Sequence, residues 1–186
     1  MSPAASVEGS ERIRLFCALR LPAETVDTLV DWQDEAFAGV RDVRALSAAH
    51  LHITLAFLGH RPAEELEGIV GTLREAAGSA ARPALSVERY RETRSVGMLT
   101  LRDDGGLAQA LASDLHGRLE GLGVYEPERR KWLPHVTVLR FRSRPRLSPA
   151  PPAVRPFSPS DAALYHSVLR SGGAQYEVVE SVALGG

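Results

Sequence analysis

Apolar residues crowd the stretch Ile13 to Leu21, IRLFCALRL, and Pro22 closes it, which predicts a strand. The period then changes. Val26, Leu29, Val30, Trp32 and Phe37 recur at steps of mostly three and four, so an amphipathic helix is expected from Pro22 to near Gly39. HLHITLAFLG, His50 to Gly59, alternates like a strand and is expected to stop at its glycine. RPAEELEGIVGTLREAAG carries Leu66, Ile69, Val70 and Leu73 on one stripe and predicts a second helix. PALSVERY and SVGMLTLR are strand candidates. In DDGGLAQALASDLHGRLEGLG, Leu107, Leu111, Leu115, Leu119 and Leu122 form the stripe of a third helix, with Gly121 and Gly123 as stop signals. PHVTVLRF, Pro134 to Phe141, is the next strand, followed by the Pro- and Ser-rich connector RPRLSPAPPAVRPFSPS. DAALYHSVLR and AQYEVVESVAL close the chain as a strand pair across SGG.

Helices and strands mix without a regular βαβ rhythm, which argues for an α+β fold with largely antiparallel sheets. The 186 residues suit one domain spanning 12–186, or two small lobes sharing one core, behind a flexible tail over 1–11. With 44% hydrophobic and 24% charged residues the chain is globular in composition, and its net charge of -1 advertises neither nucleic acid nor membrane. No stretch approaches the roughly 20 apolar residues of a membrane span. The N-terminus lacks a signal pattern, so the default location is cytoplasmic. The single cysteine, Cys17, leaves no internal disulfide and no cysteine-rich zinc site, and its apolar setting reads as a buried thiol.

Two of these strands share a pattern. His52 precedes Thr54 and His135 precedes Thr137, each in the frame His, apolar, Thr, apolar, 83 positions apart. Side chains at i and i+2 share a face of a strand, so each motif offers an imidazole and a hydroxyl together, with hydrocarbon behind. A lone motif of this kind is ordinarily a strand histidine; two in matched context favour a site. One neutral and one protonated imidazole can respectively take a proton from water and give one to a leaving oxygen, which suits in-line displacement at a phosphodiester without a metal. Hydroxyls and arginines would hold the phosphate oxygens. The competing reading is a zinc site on the His50 and His52 pair, with His60 close in sequence, for which a third ligand and a supporting carboxylate are not evident. His60, His116 and His166 read as ordinary turn, helix and strand residues, and His50 as an exposed or supporting residue at the strand's beginning.

HITL (His52 to Leu55) and HVTV (His135 to Val138) resemble the paired motifs of the two-histidine phosphoesterase superfamily, in its 2′-5′ RNA ligase branch (LigT-like), also described as RNA 2′,3′-cyclic phosphodiesterases. RLFCALRLP, HLHITLAFLG, ERRKWLPHVTVLR and YHSVLRSGGAQYEVVE are similar to that branch in the same order, so the resemblance spans nearly the whole chain. It implies a bilobal, pseudo-two-fold α+β fold with two antiparallel sheets forming a cleft and helices outside. It also implies hydrolysis of RNA 2′,3′-cyclic phosphate ends to a 2′-phosphate, with no cofactor and no metal. By that analogy His52 protonates the leaving 3′ oxygen and His135 activates water, although the residues themselves do not divide the roles. Thr54 and Thr137 would bind phosphate, with Arg140 and Arg130 as the arginines flanking the second motif and Trp132 as a surface for base stacking or a core residue. Val138 replaces the usual leucine, and SVGMLTLRDDGG lacks the branch's tryptophan pattern. Strict alternation sets Arg140 on the face of Val136 and Val138, away from the histidine. A bulge would redirect it, and Arg142, Arg144 and Arg146 are expected as a solvated edge.

The expected partners are RNA ends or cyclic nucleotides, with no membrane and no obligate protein partner, the chain acting as a monomer. Alternatives are a phosphodiesterase or reversible ligase acting on 2′-5′ linked oligonucleotides or tRNA halves, and a non-catalytic RNA-end binder.

Overall fold

The computed structural model describes residues 11–171 and 173–185; residues 1–10, which make up most of the expected tail, and Gly172 of the SGG turn lie outside the described residues. The elements run β1 (Arg12–Arg20), α1 (Ala23–Ala36), β2 (Val43–Ala45), β3 (His52–Pro62), α2 (Leu66–Ser79), β4 (Leu85–Glu92), β5 (Val96–Asp103), α3 (Leu107–Gly121), β6 (His135–Phe141), β7 (Asp161–Arg170) and β8 (Gly173–Ala183). Short 3-10 turns, Ala48–His50 and Ala63–Glu65, precede β3 and α2.

The strands form two four-stranded antiparallel sheets, ordered β3-β1-β7-β8 and β2-β6-β5-β4. The α+β class, the antiparallel pairing and one motif per sheet agree with the expectation. The triplets β3-β1-β7 and β6-β5-β4 correspond under a pseudo-two-fold relation. The fourth strand is added at opposite ends, β8 beyond β7 and β2 beyond β6. Leu15, Cys17 and Leu19 of β1 are fully buried, as are Ile53 of β3 and Val138 of β6, so the backs of both sheets feed one core. Burial pushes the Cys17 thiol up to about 12, which leaves it inert at neutral pH. The helix α1 follows β1 but packs on the other sheet, where Trp32 and Phe37 meet Tyr90 of β4. The helices α2 and α3 pack against each other, α2 on β7 and β8, α3 across to β3 and β5.

Two sequence expectations shift. The strand at HLHITLAFLG does not stop at Gly59 but continues to Pro62. Gly59 sits at φ +69°, where a second bulge in the β1 pairing needs a left-handed residue, so a glycine that reads as a terminator serves as a bend inside the strand. The three-residue edge strand β2 was not foreseen, because VRA carries no period of its own.

The Pro-rich connector is fixed at several points. Leu85 and Phe157 exchange backbone hydrogen bonds of 2.8 and 2.9 Å, and the Trp32 indole N–H donates to the Ala150 carbonyl at 2.9 Å. The Glu92 carboxylate, with its side chain 1% exposed, accepts from Arg144 Nε at 3.0 Å and from the backbone N–H groups of Arg146 and Leu147 at 3.0 and 2.8 Å. Arg142, Arg144 and Arg146 are exposed as expected, but β6 ends at Phe141, so they prolong no strand, and Arg144 also anchors the connector through Glu92. The Tyr90 hydroxyl also donates to the Glu92 carboxylate at 3.2 Å, so removing this carboxylate takes the acceptor from four donors. In denaturant titration Glu92→Ala is expected to lower the unfolding free energy by about 2–4 kcal/mol. Arg102→Ala, which breaks only an exposed pair with Asp104, should stay within about 0.5 kcal/mol of the parent. Equal small losses in both variants would show that the connector is held elsewhere.

Candidate active site

A pleated strand alternates faces, yet both motif strands bring functional positions of both parities toward the cleft. The pairing of β1 with β3 slips at Leu55, because Cys17 pairs with Ala56 and Ala18 with Thr54. The pairing of β5 with β6 slips at Val138 in the same way, because Gly97 pairs with Leu139 and Met98 with Thr137. Each bulge puts two consecutive residues into the core, Leu55 with Ala56 and Val138 with Leu139. The parity then reverses. Phe57 joins His52 and Thr54 on one wall, and Arg140 joins His135 and Thr137 on the other. The adjacent apolar pair after each threonine was the sequence signal for this.

Side chains from other elements hold the bulges. On β3, an edge strand, the Thr54 carbonyl accepts the Trp132 indole N–H at 2.9 Å and the Leu55 carbonyl accepts from His116 Nε2 at 2.7 Å. His116 in turn stacks on Tyr125, with ring centroids 4.7 Å apart. On β6, the Val138 carbonyl accepts from Gln33 Nε2 at 2.6 Å and from the Leu46 N–H at 3.0 Å. His116, which reads as an ordinary helix residue, is thus a strut of the first motif. Gln33, 2% exposed in α1, is the corresponding strut of the second and was not singled out from sequence.

Between the walls lies a cavity of about 130 Å³ lined by His52, Thr54, Phe57, Thr137 and Arg140, together with Arg14, Phe16, Ser167 and Tyr176. His135 opens instead onto an adjoining cavity of about 390 Å³, which shares Thr54 and Phe57 with the first. Arg130, Trp132, Lys131 and Arg91 line that second cavity, so Arg130 and Trp132 stand beside His135 rather than with His52 and the threonines. Trp132 offers part of its ring to this space while its N–H is committed to Thr54 and the rest packs on the core. Two lining residues were missed in the sequence. Phe57 is 49% exposed, with the Arg14 guanidinium 4.9 Å over its ring. The Ser167 hydroxyl is buried and without a hydrogen-bond partner, and its residue lines the cavity.

The two histidines sit in unlike surroundings. His52 packs against Phe16 at 5.0 Å and Tyr176 at 5.6 Å between centroids. Desolvation by this wall lowers its pKa from 6.5 to about 4; a hydrogen bond to the His50 backbone opposes the shift, while His50, His135 and Arg140 add to it electrostatically. With one ring nitrogen donating to His50, the other, Nε2, carries a lone pair toward the Thr54 hydroxyl at 3.1 Å. His135 donates from Nδ1 to the Leu133 carbonyl at 2.8 Å, which leaves its Nε2 free. His50 is tied at both ends, Nδ1 to Ser47 Oγ and Nε2 to the Ala174 carbonyl, each at 2.7 Å. Among the described residues, no three His, Cys, Asp or Glu side chains gather as a metal-holding group.

The chain matches the 2′-5′ RNA ligase superfamily over residues 23–170. The RNA 2′,3′-cyclic phosphodiesterase of Escherichia coli (strain K12) is 29% identical over 180 residues, covering 94% of this chain and 98% of its own. Among solved structures, TT0787 of Thermus thermophilus superposes with a TM-score of 0.80 at 28% identity, covering 94% of this chain and 99% of that one. E. coli LigT complexed with 3′-AMP gives 0.84 at 26% identity, covering 95% and 100%.

The depressed pKa of His52 has a direct spectroscopic consequence. Because its folded value lies below 6.5, the unfolded chain binds the extra proton first, so His52 favours folding above about 6.5 and opposes it as pH falls toward about 4. In the folded protein, imidazole ¹⁵N shifts should report His52 neutral at pH 6 with a midpoint near 4. A midpoint at or above 6 would refute the aromatic desolvation.

Proposed function

The chain belongs to the 2′-5′ RNA ligase superfamily of two-histidine phosphoesterases, and from that premise we propose that it opens RNA 2′,3′-cyclic phosphate ends to 2′-phosphates without a metal. The observation that carries this reading is the pair of bulged strands, which bring an imidazole and a threonine hydroxyl from each sheet to two adjoining cavities that share Thr54 and Phe57. In-line hydrolysis needs a base on one side of phosphorus and an acid on the other.

The unequal rings favour a division of labour. His52, neutral with its lone pair on Nε2, takes a proton from water as the water oxygen attacks phosphorus. The bond from phosphorus to the 3′ oxygen breaks, and His135 in its protonated form gives its Nε2 proton to that oxygen. The products are a 2′-phosphate and a free 3′-hydroxyl. This is the reverse of the roles that the family resemblance implies. Charge developing on the non-bridging oxygens meets the hydroxyls of Thr54, Thr137 and Ser167 and the guanidinium of Arg140, which line the same cavity. The exposed Phe57 ring beside it is suited to stacking a terminal base. Both motifs come from one chain, which supports action as a monomer. No helix of the described residues is long and apolar enough to cross a membrane.

A 2′,3′-cyclic oligonucleotide should be turned over in excess EDTA, to a 2′-phosphate identified by mass and phosphatase sensitivity. His52→Ala and His135→Ala should each lose about 10²–10⁴-fold in kcat. Loss of activity on chelation, a 3′-phosphate product, or binding without turnover would overturn the function. A substrate with sulfur at the bridging 3′ position has a leaving group that needs no proton. It should restore most of the activity of His135→Ala and little of His52→Ala; the opposite pattern would reverse the roles while leaving the activity intact.

A further inference from the structure

A third cavity, of about 420 Å³, adjoins the site on the side away from Trp132. It is lined by Arg14, Arg44, Arg140, Ser47, His50 and Tyr176, with no carboxylate in its wall. Arg14, Arg140 and Tyr176 also line the cavity of the motif residues, so the two spaces are continuous. Arg44 and Arg140 are direct cross-strand partners in the pairing of β2 with β6. Like charges opposite one another destabilise a sheet, and among the described residues none of the three arginines has an ion-pair partner. Arg44 also reaches across to the other sheet, its Nη1 3.4 Å from where a Cβ on Gly173 would stand. His50 is held by Ser47 and the Ala174 carbonyl, which fixes the floor of the cavity between the β2–β3 connection and the start of β8. Three guanidinium groups converging on a polar space from two sheets, uncompensated and kept at a cost in stability, make a seat for a second anion.

We infer that this cavity binds the internal phosphodiester one nucleotide 5′ of the cyclic end, and so selects oligonucleotides over cyclic mononucleotides. The inference rests on the proposed hydrolysis of cyclic ends. Arg140 lies at the boundary and touches both spaces, as a group between successive phosphates of one strand would. Recognition is by charge and hydrogen bonding to phosphate, with no reading of base identity. The part particular to the new seat is Arg44, since Arg14 and Arg140 also serve the motif cavity.

Three substrates isolate it: a 2′,3′-cyclic mononucleotide, a dinucleotide ending in a 2′,3′-cyclic phosphate, and the same dinucleotide with a neutral methylphosphonate linkage. The parent enzyme should favour the charged dinucleotide over each of the others by about tenfold in kcat/KM, chiefly through KM. Arg44→Ala should erase most of that preference, and Arg44→Lys should keep part of it, since a lysine retains the charge without the planar fork. Because a single-stranded phosphate contact contributes about 0.7 to the salt slope, the log–log salt dependence for the charged dinucleotide should flatten by about that amount in Arg44→Ala. Equal use of the two dinucleotides, or a loss in Arg44→Ala that is the same for all three substrates, would overturn the seat while leaving the hydrolytic function standing. Failure of the parent enzyme to open any of the three would overturn both.

Discussion

An extended strand can present only every second side chain to one side, and this cleft requires more than that. The resolution is a one-residue slip in each motif strand, at Leu55 and at Val138, which moves the fifth residue after the motif's histidine onto the active face. A slip also leaves backbone groups out of register with the neighbouring strand, and a buried carbonyl without a donor is unfavourable. The remaining architecture supplies those donors. The helix α1 crosses from its own sheet to the other and delivers Gln33 to Val138; α3 and the segment before β6 deliver His116 and Trp132 to the Leu55 and Thr54 carbonyls. The crossing of the helices and the shape of the two motif strands answer to one constraint.

The same packing gives the two histidines different electrostatic lives. A strand at a sheet's edge could have left His52 wet, but Phe16 and Tyr176 close over it from β1 and β8. Burial disfavours the imidazolium, whereas His135, on a strand flanked by a larger cavity, keeps one nitrogen on a carbonyl and the other free. Near-identical motifs thus stand in different surroundings, and for His52 those surroundings depress the proton affinity.

Much of the site was legible in the sequence because it depends on period alone. His52 with Thr54 and His135 with Thr137 follow from two-residue alternation, and so do the strands that carry them. The fold class followed from the order of apolar patterns. What escaped were features set by register and by distant contacts. Arg140 was named through the resemblance with a bulge required to turn it, but period alone did not locate that bulge at Val138, and Phe57 had no motif to point to it. Gln33 and Ser167 have meaning only against carbonyls and cavities that other parts of the chain create. Arg144 is solvated as it reads, but its bond to the buried Glu92 and the end of β6 before it are non-local facts. Gly59 read as a stop because a left-handed glycine ends strands as readily as it bends them.

The pseudo-symmetry is informative where it fails. The position that each bulge exposes is Phe57 in one lobe and Arg140 in the other, so equivalent backbones present an aromatic ring and a guanidinium. Around Phe57 the lining continues into Met98, Tyr125 and Leu133; around Arg140 it continues into Arg14 and Arg44. The Phe57 side thus adds apolar and aromatic lining to Arg91, Arg130 and Lys131, whereas the Arg140 side is lined by guanidinium groups without a comparable apolar wall. A nucleotide also has unlike ends, base at one and phosphates at the other. A duplicated scaffold with identical lobes could not orient such a molecule, because both ends would compete for the same group. Divergence at the fifth position after each motif's histidine makes the two sides unlike, and under the proposed function that difference would orient the substrate between the imidazoles.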